Sequence, residues 1–398
     1  MKIRKATDSL ILRLLLYLYL LITFMPIVAY YVPSFVKIVL AVAIWLYYII
    51  PYFSFKWIPL FGIPFLTLLF SIGSNSNPLS YAYFLVNMAT IAALFWPLTM
   101  EKNEGLSKRV VALIIISFII NATTTYIGNL VFPGASRELA SMQAASDAYE
   151  TYLSYNIGGF DVIYTLSLSI PVLAILFKNS KATQKFLILI VTIIFIMAII
   201  QSQYTLALII ALFSIILFIL PYNSKRFFLV AIIVLAIILL NAPFVFTIIK
   251  TVSGSENVEL RLSDFLTWIQ GSSMYLESDI SMRSEKYSMS INGFLSSPFL
   301  GNFLSGKRVD GGHSFVLDSA CQFGVIGLVL IIWMYRTIWV SYLKRFQKCK
   351  FYVFVKVFFV EYIIVTILNP QEYIPFISFA LPLVLVFIAR ASQNCERK

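Results

Sequence analysis

Apolar runs alternate with short polar breaks along nearly the whole chain; Val110–Leu130, "VVALIIISFIINATTTYIGNL", is one example. Runs of roughly 20 residues cross about 30 Å of hydrocarbon as helices. The pattern predicts twelve spans, near 10–31, 34–52, 57–73, 79–99, 109–132, 158–177, 186–201, 203–221, 226–249, 314–339, 351–369 and 373–390. The first follows a basic start, Met1-Lys2-Ile3-Arg4-Lys5, as a signal peptide would. Its apolar part is too long, however, and no small-x-small cleavage site follows, so a retained helix is expected.

Two polar segments interrupt the short turns. The smaller covers 133–157 and holds Arg137, Glu138, Asp147 and Glu150. The larger covers 250–313 and is the natural place for function, because long loops in compact proteins seldom lack one. Within it, Leu262, Phe265, Leu266 and Ile269 recur at helical spacing, as do Tyr287, Ile291, Phe294 and Leu295. Both stretches predict short amphipathic helices on the outer surface or over the bundle, the second capped by Ser281. "SSPFLGN" ends the second helix at a Pro–Gly turn, and "DGGHSF" opens the tenth span with His313 in its first outer turn. The chain thus divides into a membrane bundle (1–249), a large outer loop (250–313), and a block holding spans 10–12 with a cytoplasmic tail (314–398).

Composition agrees with the pattern: 60% of residues are hydrophobic and 12% charged, against about 25% charged in soluble domains. The fold class expected is an all-α polytopic membrane protein. The net charge of +12 would invite a nucleic-acid reading, but the location of the cations removes it. Lys2, Arg4 and Lys5, then Lys178, Lys181 and Lys185, then Lys344, Arg345, Lys348 and Lys350 all fall on one side of the expected topology. The outer loop 250–313 is close to neutral. By the positive-inside rule both termini are cytoplasmic. Cys349 and Cys395 fall on the inner side and Cys321 within the tenth span, so no outer disulfide framework is expected. Metal-type Cys/His spacing, nucleotide-binding glycine loops and internal repeats are absent, so ATP-driven transport by this chain alone is not expected.

His313 is the only histidine. It stands there either as a polar residue suited to a membrane–water boundary, or as a base, since imidazole titrates near pH 6.5. Gly311 and Gly312 allow close approach of a substrate to the backbone. Arg283, Arg261 and Arg137 are either solvated charges on amphipathic surfaces or clamps on a phosphate, which the planar guanidinium binds in pairs. Asp161 and Asp318 lie near the outer ends of their spans and can border an outward cavity, whereas Glu361 is deepest and is expected to pair with a neighbouring helix. Tyr287, with Trp268 and Tyr275, either stacks on sugar or anchors the membrane interface.

"MRSEKYSMSINGFLSSPFLGNF" followed by "GGHSFVLDSACQFGVIGLVL" resembles the C-terminal signature of the O-antigen polymerase and O-antigen ligase superfamily. An arginine in a loop helix (Arg283) is followed by Pro-x-x-Gly (Pro298 to Gly301). A histidine (His313) then opens the next span, and Gly-x-x-Gly (Gly324 to Gly327) follows some ten residues on. The likeness covers about fifty residues; many members carry asparagine where this chain has Ser314.

This resemblance implies a GT-C-like helical glycosyltransferase on the outer face of the bacterial inner membrane. Its donor and acceptor would be undecaprenyl-diphosphate-linked oligosaccharides, transferred with inversion and with neither metal nor cofactor. A flippase and a chain-length regulator are the implied partners, beside membrane lipids. His313 is assigned to the acceptor hydroxyl and Arg283 to the diphosphate, with Arg261 and Arg137 as further phosphate candidates and Tyr287 and Asp318 as substrate contacts. A ligase moving polymer onto a lipid A core differs only in acceptor. A flippase is the alternative from another class, and Pro59, Gly62, Pro64 and Gly73 in the third span keep it open.

Overall fold

The computed structural model describes residues 10–50, 58–73, 86–94, 104–141, 147–219, 279–305 and 309–370, with single positions at 233, 247, 251, 380, 381 and 384. All regular structure among these residues is helical. In chain order the helices are α1 (Leu10–Phe24), α2 (Pro26–Tyr31), α3 (Ser34–Ile44), α4 (Ile58–Gly73), α5 (Glu104–Val131), α6 (Ala135–Ser141), α7 (Asp147–Ser154), α8 (Phe160–Asn179), α9 (Ala182–Gln201), α10 (Thr205–Ile219), α11 (Asp279–Ser296), α12 (Phe315–Ile338) and α13 (Tyr352–Leu368). Four of them, α5, α8, α9 and α12, are long and apolar enough to cross a membrane. The chain is a helical protein of membrane-embedded character.

The helix boundaries follow from local chemistry. The first expected span is two helices, α1 and α2, because Pro26 lacks an N–H and drives Met25 to extended angles (φ −113°, ψ 110°). α3 runs on into a π turn, Trp45–Ile49. Ser314 starts α12 as its N-cap, the hydroxyl accepting from the Leu317 N–H at 3.0 Å. The spans expected near 226–249 and 373–390 and the helix expected over 258–269 lie, apart from single positions, outside the described residues.

The chain forms two compact units. One comprises Met1–Ser117, Lys286–Arg345 and Ile364–Phe387; the other comprises Phe118–Glu285, Phe346–Ile363 and Ile388–Lys398. In the first, α4 packs against α12 in the opposite direction, with Phe70 on Phe323 at one end and Gly62 under Leu330 at the other. The buried Tyr19 hydroxyl of α1 donates to the Val86 carbonyl at 2.7 Å. In the second, α8 packs between α9 and α10, and side-chain hydrogen bonds tie the end of α5 to the following segments. Asn156 Nδ2 donates to Asn121 Oδ1 (3.0 Å) and Asn129 Nδ2 to Ser136 Oγ (2.7 Å). Bonds of this kind are the glue available where all surroundings are apolar. Deeper in the unit, Ser214 of α10 donates to Glu361 of α13, the pairing expected for that acid.

Candidate functional site

α11 and the first half of α12 lie side by side and run in the same direction. Ser290 meets Asp318, Gly293 faces Cys321, and the turn after α11 reaches Gly324. The chain must therefore double back between them: among the described residues, α11, the turn at 297–305 and the return segment 309–313 lie along α12 as a hairpin. The face of α11 turned to α12 is small rather than apolar: Ser290 is fully buried, and a Cβ on Gly293 would lie 2.3 Å from Cys321 Sγ. Ile291 and Leu295, half of the apolar stripe expected on this helix, are exposed at 43% and 65%. Close helix approach needs small side chains at the contact, and the outward residues are left for another apolar medium.

The tip of the hairpin explains a feature inside α12. Gly324 takes φ 61° and ψ −147°, which breaks the helix. The break exposes backbone groups, and the hairpin takes them. Val325 N–H donates to the Pro298 carbonyl (2.8 Å), and Asn302 donates to the Cys321 carbonyl from its backbone N–H (2.9 Å) and its side-chain amide (3.2 Å). Gly301, with φ 60°, sits where a Cβ would be 2.5 Å from the Gln322 backbone carbon. The Gly-x-x-Gly step is thus a helix break filled by the chain's own turn, rather than only a smooth packing surface.

His313 stands on the return arm, one residue before the N-cap of α12 rather than in its first turn, and is half-buried. The chain is fixed on either side of it, at Gly311 and at Ser314. The Ser314 N–H donates to Asp318 Oδ2 at 2.9 Å. The Gly311 N–H donates to Ser290 Oγ at 2.9 Å, and the Ser290 hydroxyl in turn donates to Asp318 Oδ1 at 2.6 Å. Only glycine fits at 311, since a Cβ there would be 2.1 Å from the Lys286 carbonyl oxygen. Asp310 accepts from the Gln322 amide across the hairpin, and Phe315 N–H donates to the Asn369 carbonyl at 2.6 Å.

Arg283, half-buried, stands on the first half of α11 and belongs to the second unit, whereas Lys286, Gly311 and His313 belong to the first. Tyr287 lies one turn after Arg283 on the same stripe, and its hydroxyl donates to the Leu368 carbonyl at 3.0 Å. Asp318 is 8% exposed, and its carboxylate oxygens bond Ser290 and Ser314. Arg137 belongs to the second unit, in the first turn of α6, with its guanidinium 5.6 Å from the Tyr204 ring centroid. Beside it the Tyr152 hydroxyl donates to Glu138 Oε2 at 2.7 Å, and that bond holds the phenol up at about 12. Arg261 lies outside the described residues. The residues not foreseen are Ser290, Asn302 and Gln322. Ser290 was legible in principle, as the small polar position seven residues after Arg283 on one helical stripe.

No protein-family model matches the chain, and no curated protein matches it either.

Proposed function

We propose that this chain is a polymerase that joins undecaprenyl-diphosphate-linked oligosaccharide repeat units into an O-antigen or capsular polysaccharide. The reaction is an inverting, metal-independent glycosyl transfer on the outer face of the bacterial inner membrane. What carries the reading is the fastening of the His313 loop to the helix that bears Arg283, on top of the sequence resemblance. A sugar hydroxyl of the acceptor attacks the anomeric carbon of the donor. The new C–O bond forms as the bond to the diphosphate breaks, and the hydroxyl proton passes to the His313 imidazole. Undecaprenyl diphosphate departs with the bonding pair. Arg283 offers a forked pair of N–H donors to the charge that grows there, where fixed donors contribute most. His313 returns its proton to water.

Both substrates are lipid-linked, so the reading needs many spans with His313 and Arg283 at the outer rim. The twelve-span topology with inner termini supplies that arrangement, and it is part of the proposal.

Purified protein should release undecaprenyl diphosphate from lipid-linked repeats, and His313→Ala or Arg283→Ala should each stop polymer formation in cells at unchanged protein level. Full-length polymer on a gel from either variant removes that residue from the catalytic pair. Loss of the chain from its host should leave glycan capped at a single repeat; free long polymer without core would make it the ligase. The broken helix α12 favours a second reading, since transporters build substrate sites on such breaks. Here, however, the freed groups at Cys321 and Val325 are taken by Asn302 and Pro298. Lipid translocation without diphosphate release would establish the transporter.

A further inference from the structure

We infer that Asp318 is a positioning residue for His313, acting through Ser290 and through the amides of Gly311 and Ser314. The inference rests on the assignment of His313 above and adds what holds the imidazole in place. Glycines at 311 and 312, the latter at φ 69°, give the loop little stiffness of its own. One carboxylate supplies it. The connected path runs from Gly311 N–H to Ser290 Oγ, from the Ser290 hydroxyl to Asp318 Oδ1, and from Asp318 Oδ2 to Ser314 N–H. His313 lies between the two anchored amides, so its backbone is set by α11 on one side and α12 on the other.

The burial is what makes the clasp strong. Ser290 and Ser314 are fully buried and Asp318 nearly so, and charge-assisted bonds gain strength out of water. The chemistry is also specific to a carboxylate. Both oxygens accept, from a hydroxyl and from a backbone N–H; an amide at this position accepts with one atom only. Ser290 serves equally narrowly, because its oxygen must accept from Gly311 while its proton goes to Asp318. Alanine at 290 breaks both links and leaves the Gly311 N–H and one Asp318 oxygen without these partners.

The test uses the full-length protein in nanodiscs with Asp318→Asn and Ser290→Ala, and reads two quantities. The first is hydrogen–deuterium exchange of peptides covering 309–316, which needs no activity; both variants should exchange faster there while the rest of the chain is unchanged. The second is the steady-state release of undecaprenyl diphosphate. For each variant kcat should fall about tenfold to a hundredfold, as small misplacements of a reacting group do, with KM within roughly threefold of wild type. Asp318→Asn, nearly isosteric, keeps the test valid if Ser290→Ala does not fold. Unchanged exchange overturns the clasp. A raised KM at wild-type kcat also overturns it and makes Asp318 a glycan contact. Faster exchange in variants of a wild type that releases no diphosphate supports the clasp and removes the polymerase reading instead.

Discussion

Glu361 is a carboxyl group 3% exposed, with Ser214 on Oε1 and, among the described residues, no hydrogen-bond partner at Oε2. A buried polar atom left unmatched costs about 1–3 kcal/mol, so this residue stands on the unfavourable side of its surroundings. Glu361→Gln keeps the acceptor for Ser214 and removes the group that suits charge least. It should raise the unfolding midpoint in detergent or leave it in place, whereas Ser214→Ala, which strips the one bond, should lower it. Neither change should alter the proposed glycosyl transfer. Arg283 behaves differently because geometry, not burial, is at stake. Arg283→Lys keeps the cation and loses the fork; kcat should fall roughly tenfold, equal to one charge-assisted bond of about 1.4 kcal/mol. Wild-type turnover in a diphosphate-release assay would show that paired contacts are not used.

Helix α12 and its hairpin stand or fall on two glycines. A side chain at Gly324 would place a Cβ 2.4 Å from the Phe299 carbonyl oxygen, and one at Gly301 would meet the Gln322 backbone. Both also hold left-handed φ, which costs an L-residue about 1–2 kcal/mol before any clash. Gly324→Ala and Gly301→Ala should therefore each destabilise the protein by more than about 2 kcal/mol. Gly62→Ala, which meets only the mobile tips of Leu330 at 2.9 Å, should cost much less; thermal unfolding of the three variants side by side makes the comparison. The same helix shows where a sequence stops being informative. Apolar run length located α5, α8, α9, α10, α12 and α13 within a few residues, because hydrocarbon thickness and helical rise fix that scale. Small residues at three-residue spacing read equally as a packing face and as a break. Only the turn at Pro298–Asn302, whose partner groups lie 19 to 27 residues on, decides between them. Ser290 and Asp318 escaped as a pair for the same reason: their contact depends on which face α11 turns to α12, and the apolar stripe points elsewhere.

At the scale of the whole chain, the surface settles what surrounds it. On α9, Phe186, Leu187 and Ile193 are 64%, 57% and 49% exposed, and Val329, Ile332 and Trp333 of α12 are 54%, 64% and 44% exposed. Apolar area spread over helices of spanning length is lipid-facing in a protein of this kind. The proposed orientation rests on charge: Lys178, Lys181 and Lys185 crowd the connection between α8 and α9, and the positive-inside rule keeps such clusters on the inner side. The proposed twelve-span topology puts the connection between α11 and α12 outside, where the proposed joining of lipid-linked glycans would take place. Cysteine placed at Val309, which is 43% exposed, should react with a membrane-impermeant maleimide on intact cells. Cysteine at the exposed Lys181 should react only after the membrane is opened. The reverse pattern would put His313 on the side of the sugar-nucleotide pool, and a polymerase of flipped repeats could not work there.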